Sequence, residues 1–355
     1  MSPLPTFQNQ FDIFIGLDVD KSSYSFTVCD NEHMTKSKRI PSHPEHLCNY
    51  IQKTFPGRKV ICAYEAGPTG FDLHDFLQAN GIDCLIIAPA SIPKAANDRV
   101  KNNRIDSLKI TDYLMSGKME SIRVPQGPYR ELRHLLNSRE NTARDRKTAK
   151  QRIKALLLYC SLNSSLKDPD NRWSRNYINE LKHIECSFAT RQRLDMLLED
   201  LEYARNKTLS IHRTLRDFCK SHEQISQYMH YLQSIPGIGF IVAATILGRI
   251  GDPAQLQNPR ELAAFVGLVP SEYSTGDTIN KGPITHLGNQ TLRFLLVEAA
   301  WVAIRHDSRL DQFYHRIKGK NHPKVAAKIA ITAVARKLTQ IIFRVLKDKR
   351  EYIQF

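Results

Sequence analysis

The chain has no long hydrophobic run. No stretch reaches the ~18 apolar residues that a bilayer-spanning helix needs, so a helical membrane protein is excluded and no membrane partner is expected. Residues 1–10 carry neither a basic start nor an apolar h-region, and no secretory signal is expected. Cys-x-x-Cys pairs are also missing. The seven cysteines stand scattered at 29, 48, 62, 84, 160, 186 and 219, which argues for reduced thiols in the cytoplasm rather than a zinc site or a disulfide frame. No fixed-period repeat and no long low-complexity tract is present, so a solenoid is excluded. Acidic residues are in short supply: 36 Asp and Glu against 51 Lys and Arg leave a net charge of +15. That imbalance calls for a polyanionic partner, nucleic acid first and a membrane surface second.

Apolar residues are plentiful. At 355 residues and 41% hydrophobic content the chain can bury sizeable cores, enough for two domains and a connector. The periodicity predicts strands at Phe11–Val19, Tyr24–Asp30, Thr35–Ile40, Lys59–Glu65 and Ile82–Ala88, with helices at Pro44–Thr54 and Gly70–Ala79. This is an α/β pattern with a layered sheet. From Ser107 to about Ser161 the pattern turns helical. Tyr129–Lys154 holds nine Lys or Arg, including Arg144 and Lys147, against three acids. Trp173–Cys219 reads as a helical hairpin or coiled-coil arm with Leu194, Leu197, Leu198, Leu201 and Leu209 on its apolar side. Tyr228–Phe355 is mostly helical, with eleven Lys or Arg and one acid between Arg316 and Arg350. The expected division is 11–162, a connector at 163–227, and 228–350.

Three acids fall at the ends of these elements. Asp18 faces away from the Ile13, Ile15, Leu17, Val19 stripe, Glu65 ends a separate strand, and Asp106 precedes the helical run from Ser107. Brought together, three carboxylates need a cation. Oxygen-only ligands suit magnesium, with manganese as the alternative. Taken singly, each has an ordinary reading: a turn residue, the start of a polar loop, a helix N-cap.

Farther on, Ser234-Ile-Pro-Gly-Ile-Gly239 sets Gly237 and Gly239 in a tight turn between helices, where free amides can meet a phosphate. The ordinary reading of that turn is a packed αα-hairpin. Gly267-Leu-Val-Pro-Ser-Glu-Tyr-Ser-Thr-Gly276 then presents Ser274 and Thr275 on a turn, followed by Lys281-Gly-Pro-Ile-Thr-His-Leu-Gly-Asn289 and an apolar helix from Leu292. Such hydroxyls usually make local backbone bonds. As a nucleophile either would need activation by a metal or a base, with Lys281, His286 and Arg293 as phosphate contacts.

In this order the segments Gly16-Leu-Asp-Val-Asp20, Tyr64-Glu-Ala-Gly-Pro-Thr-Gly70, Val100-Lys-Asn-Asn-Arg-Ile-Asp-Ser107, the hairpin turn and the hydroxyl turn resemble the DEDD transposases of bacterial insertion sequences, the family that includes Piv-type DNA invertases. The resemblance covers residues 12 to 346. It implies an N-terminal RuvC-like, ribonuclease-H-type domain, a coiled-coil connector, and a mostly helical C-terminal transposase domain with a helix-hairpin-helix. It implies DNA recombination by a cytoplasmic, nucleoid-associated bacterial protein. It also implies a magnesium site at Asp18, Glu65 and Asp106, a covalent phosphoserine link, a non-coding bridge RNA, and a dimer or tetramer with composite sites. Two positions depart from the family. Its third acid, in Lys-Thr-Asp-x-x-Asp, is Asn103 here, a neutral oxygen ligand at most. Its Ser-Ser-Gly nucleophile falls on Thr275, with Ser274 one place earlier, and the choice between them stays open. A RuvC-like nuclease using metal-activated water and a catalytically impaired nucleic-acid-binding relic are the alternatives.

Overall fold

The structure, a computed structural model, describes residues 10–30, 35–89, 102–119, 121–162, 173–272, 281–285 and 287–353. The chain divides into two compact units, Met1–Val124 and Pro125–Phe355.

In the first unit, apolar alternation builds a central strand, β1 (Ile13–Val19). It pairs antiparallel with β2 (Ser23–Asp30), which pairs antiparallel with β3 (Thr35–Pro41). On its other side β1 pairs parallel with β4 (Val60–Glu65), and β4 with β5 (Asp83–Ile87), giving the order β3-β2-β1-β4-β5. Successive side chains alternate faces. Ile13, Ile15 and Leu17 therefore bury on one face, with Leu47 of α1 (Pro44–Thr54) and Leu73 and Leu77 of α2 (Asp72–Ala79). Phe14 goes to the opposite face, where Ile61, Ala63 and Ile87 meet Ile110 and Leu114 of α3 (Asn103–Met115).

The α3 face is closed by a polar seam. A Cβ on Gly16 would stand 2.4 Å from the Thr111 amide nitrogen and 2.5 Å from the Ser107 carbonyl oxygen, so only glycine lets the helix lie this close. Gly16 donates its N–H to Thr111 Oγ1 at 3.1 Å, and the single proton of that hydroxyl has the Ser107 carbonyl at 2.8 Å and the Thr27 carbonyl at 3.1 Å as acceptors. The Thr27 and Ser107 hydroxyls lie 2.9 Å apart. These buried polar groups are mutually satisfied, as burial requires.

In the second unit, α4 (Pro128–Tyr159) and α6 (Phe188–Ser221) pack as an antiparallel hairpin. Their far ends share a core with Trp173, and with Tyr177 and Leu181 of α5 (Arg175–His183). Their near ends join a larger core with α7 (Glu223–Gln233), α8 (Phe240–Ile250), α9 (Pro259–Val266), α10 (Gln290–His306), α11 (Ser308–Lys318) and α12 (Pro323–Asp348). A two-stranded ladder, β6 (Pro270–Glu272) with β7 (Lys281–Ile284), lies between α9 and α10.

Several expectations shift. The helix expected from Ser107 begins at Asn103, because Asn102 caps it by accepting from the Arg104 amide at 3.1 Å. Asp106 is thus a first-turn residue rather than the cap. The extended pattern from Trp173 breaks at 184–187, and Ser174 and Ser187 cap the two helices that result. Leu209 is 57% exposed, since the buried stripe runs Leu194, Leu198, Leu201, Thr208, Leu215. The basic helix α4 packs within the second unit.

Candidate active site and nucleic-acid surface

The β1–β4 register pairs Leu17 with Tyr64, so the next residues, Asp18 and Glu65, stand abreast at the C-terminal ends of two parallel strands. By alternation both share the face that carries Phe14, Gly16, Ile61 and Ala63, which is the face under α3. Following β1 from Phe14 to Gly16, the α3 contacts move from Ile110 and Leu114 back to Ser107 and Thr111. The helix therefore runs opposite to β1. One further step, roughly 6.6 Å along the strand and 6 Å along the helix, takes β1 to Asp18 and α3 to its first turn, which holds Asn103 and Asp106. Those two are three residues apart, on one side of the helix. Asp18 and Asp106 are half-buried, while Glu65 and Asn103 are exposed.

The fold thus brings the three carboxylates to one face and one end of the sheet. Their donor chemistry, all oxygen, fits a hard divalent cation. Among the described residues, no three His, Cys, Asp or Glu side chains close up tightly enough to hold a metal ion. What the fold supplies is a shared edge rather than a closed ligand set.

Cross-strand pairing adds a residue that sequence reasoning missed. Asp18 pairs with Ser25 and Ser25 with Arg39, so all three lie in one row on one face. Arg39 sits two strands from Asp18, roughly 10 Å away, and its Nε donates to Ser23 Oγ at 2.8 Å. In sequence it looks like part of a solvated edge with Lys36 and Lys38, and only the register reveals the row.

In the second unit the two hairpin glycines have different settings. Gly237 has φ +85° and meets α10, where a Cβ would lie 2.2 Å from the Ala299 carbonyl oxygen. Gly239 is exposed and opens α8 as its N-cap, with open space where a Cβ would be. The free amides that follow Gly239 are the ones able to meet an anion.

The corner after α9 is tightly stitched. Gly267 ends α9 in the left-handed region at φ +78°. Arg293 Nη1 donates to the Val266 and Leu287 carbonyls at 3.2 and 2.8 Å, and the Asn289 side chain caps α10 through the Leu292 amide. Arg293, expected at phosphate, spends part of its fork on the backbone here. The ladder sets Glu272 opposite Lys281, the residues on either side of 273–280. Ser274, Thr275 and His286 lie outside the described residues, and Lys281 contributes its backbone to β7. Arg144 and Lys147 are exposed on α4.

The cysteines offer no competing nucleophile among the buried thiols. Burial raises Cys29, Cys48, Cys62 and Cys84, and lifts Cys219 to about 11, so these stay protonated near neutrality. Among the described residues no helix is long and apolar enough to cross a membrane.

Comparison with known proteins agrees with the motif order. Residues 15–161 match the DEDD transposase family of IS110 elements, and residues 229–315 match the family described as transposase IS116/IS110/IS902. The transposase of insertion sequence IS1533 from Leptospira borgpetersenii is 22% identical, over 81% of this chain and 84% of its own. The transposase of IS1111A from Coxiella burnetii is 26% identical, over 64% and 61%. The transposase of IS1328 from Yersinia enterocolitica reaches 32%, over 34% and 36%. The two matched segments fall in order along the chain, one on the sheet with its acids and one on the hairpin and the helices after it: this chain belongs to the IS110 family of insertion-sequence transposases.

Proposed function

We propose that the chain cuts and rejoins DNA at the ends of its element through a covalent Ser/Thr–phosphate link, as a site-specific recombinase guided by a bridge RNA. The observation that carries this reading is the parallel register that sets Asp18 beside Glu65 under the first turn of α3. Asp18, Glu65 and Asp106 would hold magnesium, or manganese, with Asn103 as a neutral fourth oxygen. The bound ion supplies charge neutralisation at the phosphate. Arg39, in the same row, neutralises a neighbouring phosphate oxygen. The first unit is read as a RuvC-like, ribonuclease-H-type domain, supported by its antiparallel β1–β2–β3 meander joined to parallel β4 and β5.

The hydroxyl of Ser274 or Thr275 attacks phosphorus, and the P–O bond to one strand end breaks. That end takes up a proton as its free hydroxyl. In rejoining, a strand hydroxyl attacks the phosphoester and releases the side-chain hydroxyl. One phosphodiester-type bond is exchanged for another each time, so no energy-rich cofactor is consumed. The α8 N-terminus and the cations of α4, including Arg144 and Lys147, hold the backbones. Oligomerisation is supported by apolar side chains left bare on the α4–α6 hairpin: Leu158, Tyr159 and Phe188 are 67%, 86% and 81% exposed.

The test is trapping on a nicked suicide DNA substrate with the element's RNA and Mg²⁺. A protein–DNA adduct is expected, lost in Asp18→Ala and on chelation. Loss in Thr275→Ala alone identifies Thr275, and loss in Ser274→Ala alone identifies Ser274. An adduct that survives the double substitution, or cleavage with no adduct at all, would overturn the covalent reading.

A further inference from the structure

Helices α11 and α12 are joined by Gly319–His322, and Tyr352, just past the end of α12, bonds Asp307, the N-cap of α11, so the two helices run antiparallel. Between them and the C-terminal segment lies a cavity of about 490 Å³. Each helix lines it with the same pattern at i, i+4, i+7: Arg309, Phe313, Arg316 on α11 and Lys337, Ile341, Arg344 on α12. Because the helices are antiparallel, Arg316 and Lys337 share the end near the loop, and Arg309 and Arg344 share the end near the C-terminal segment. The two cation pairs stand roughly 10 Å apart, seven residues along a helix. Phe313 and Ile341 form an apolar floor between them.

The groove keeps an excess of positive charge. Its two acids already have partners: Asp348 pairs with Arg350, itself a lining residue, at 3.0 Å, and Glu351 pairs with His230, outside the groove, at 2.7 Å. Among the described residues Arg309, Lys337 and Arg344 make no salt bridge, and Arg316 lies over the Phe313 ring at 5.2 Å. The outer wall is fixed in advance. The Tyr352 hydroxyl donates to buried Asp307 at 2.5 Å, and the Tyr352 amide donates to Ser234 Oγ at 2.7 Å. A wall already held needs no ordering when a ligand arrives.

We propose that this groove binds single-stranded nucleic acid, with one base on the Phe313–Ile341 floor and the flanking phosphates on the two cation pairs. A smooth duplex would present only its backbone and leave the apolar floor unused. A single strand offers both a π-face and phosphates to such a surface. The inference rests on the nucleic-acid-processing reading above, but not on the covalent step. The strand is an unpaired segment of RNA or an opened DNA strand.

Binding is measured by fluorescence anisotropy on the full chain. The probes are labelled oligouridylate, oligothymidylate, an abasic strand of equal length and a blunt duplex. Arg309→Gln with Arg344→Gln is expected to weaken the single strands about tenfold. The salt slope should fall by about 1.4, as for two lost phosphate contacts on a single strand. Duplex affinity should stay within twofold and the thermal melt should not move. Tighter oligouridylate binding identifies RNA as the source, and tighter oligothymidylate binding identifies DNA. Equal weakening of single strand and duplex overturns the proposal, as does an abasic strand that binds as tightly as one with bases. A second readout needs no variant: strands carrying 5-iodouracil should photocrosslink to peptides containing Phe313 or Tyr352, and crosslinks confined to other segments overturn the assignment. The Ser274→Ala, Thr275→Ala double variant keeps groove binding, so failure of the covalent mechanism and failure of the groove are read separately.

Discussion

Gly16 is where one missing methyl group decides the position of a helix. Any side chain there meets backbone atoms of α3 rather than a yielding side-chain tip. Gly16→Ala is expected to cost about 3 kcal/mol by overpacking, seen as a lower denaturation midpoint of the first unit. DNA cleavage should fall further than stability, because the displaced helix carries Asp106 in its first turn. Asn103 offers the opposite experiment. It is exposed on the same side of α3 as Asp106, so an added charge there has room and solvent. Asn103→Asp should lower the Mg²⁺ concentration at which cleavage is half-maximal, read by metal titration. An unchanged titration would place this position outside the metal's reach.

At the scale of elements, the α7–α8 hairpin separates two glycines that look alike in sequence. Gly237→Ala strains a positive φ and strikes the Ala299 carbonyl, so it should lower stability by about 2 kcal/mol or more. Gly239→Ala meets open space and should leave the melt unchanged. If the amides of α8 bind phosphate, Gly239→Ala weakens DNA binding alone, as a gel-shift titration would show. The Pro-Gly-Ile-Gly spacing announces a turn but not which glycine packs and which faces out. The same limit applies elsewhere. The α1 span and the positions of the five strands are legible because their periodicity is strong and local. The start of α3 is not, because Asp106 and Asn102 are both good capping residues and only the hydrogen bond chooses Asn102. Strands β6 and β7 escape notice because each is short and contains a proline, Pro270 or Pro283, which in sequence marks a turn. Among the site residues, the strand-end positions of Asp18 and Glu65 could be read directly. Their adjacency, and the place of Arg39 in their row, depend on a register that no local pattern encodes.

At the scale of the whole molecule, stability at alkaline pH should depend on the C-terminal segment. Burial, then the hydrogen bond to Asp307 and the charge of that carboxylate, lift the Tyr352 phenol to about 12 from its ordinary 10. The folded state therefore holds this proton more tightly than the unfolded chain does. The contribution is complete below pH 10 and is lost as pH rises through the folded value. Tyr352→Phe should be less stable near neutrality by about 1–3 kcal/mol, because buried Asp307 loses a donor. Its stability should decline less than that of the parent between these two pH values in denaturant titrations. The bare tip of the α4–α6 hairpin makes a separate prediction: Tyr159→Glu with Phe188→Glu should reduce the mass seen by light scattering to that of a smaller assembly, without loss of helicity.

The same hairpin has a geometric consequence. From the inner core at Leu136 to the outer core at Leu157, α4 carries 21 residues of helix braced by α6, roughly 30 Å at 1.5 Å per residue. A braced helix is a ruler with a phase. One inserted residue turns everything beyond it by about 100°. A matched heptad in both helices restores the facing of the outer cluster to within about 20°. Length changes along this arm should therefore be tolerated at near-whole turns, such as about seven or eleven residues in both helices, whereas a change of about two or five residues would present its bare tip in a different direction.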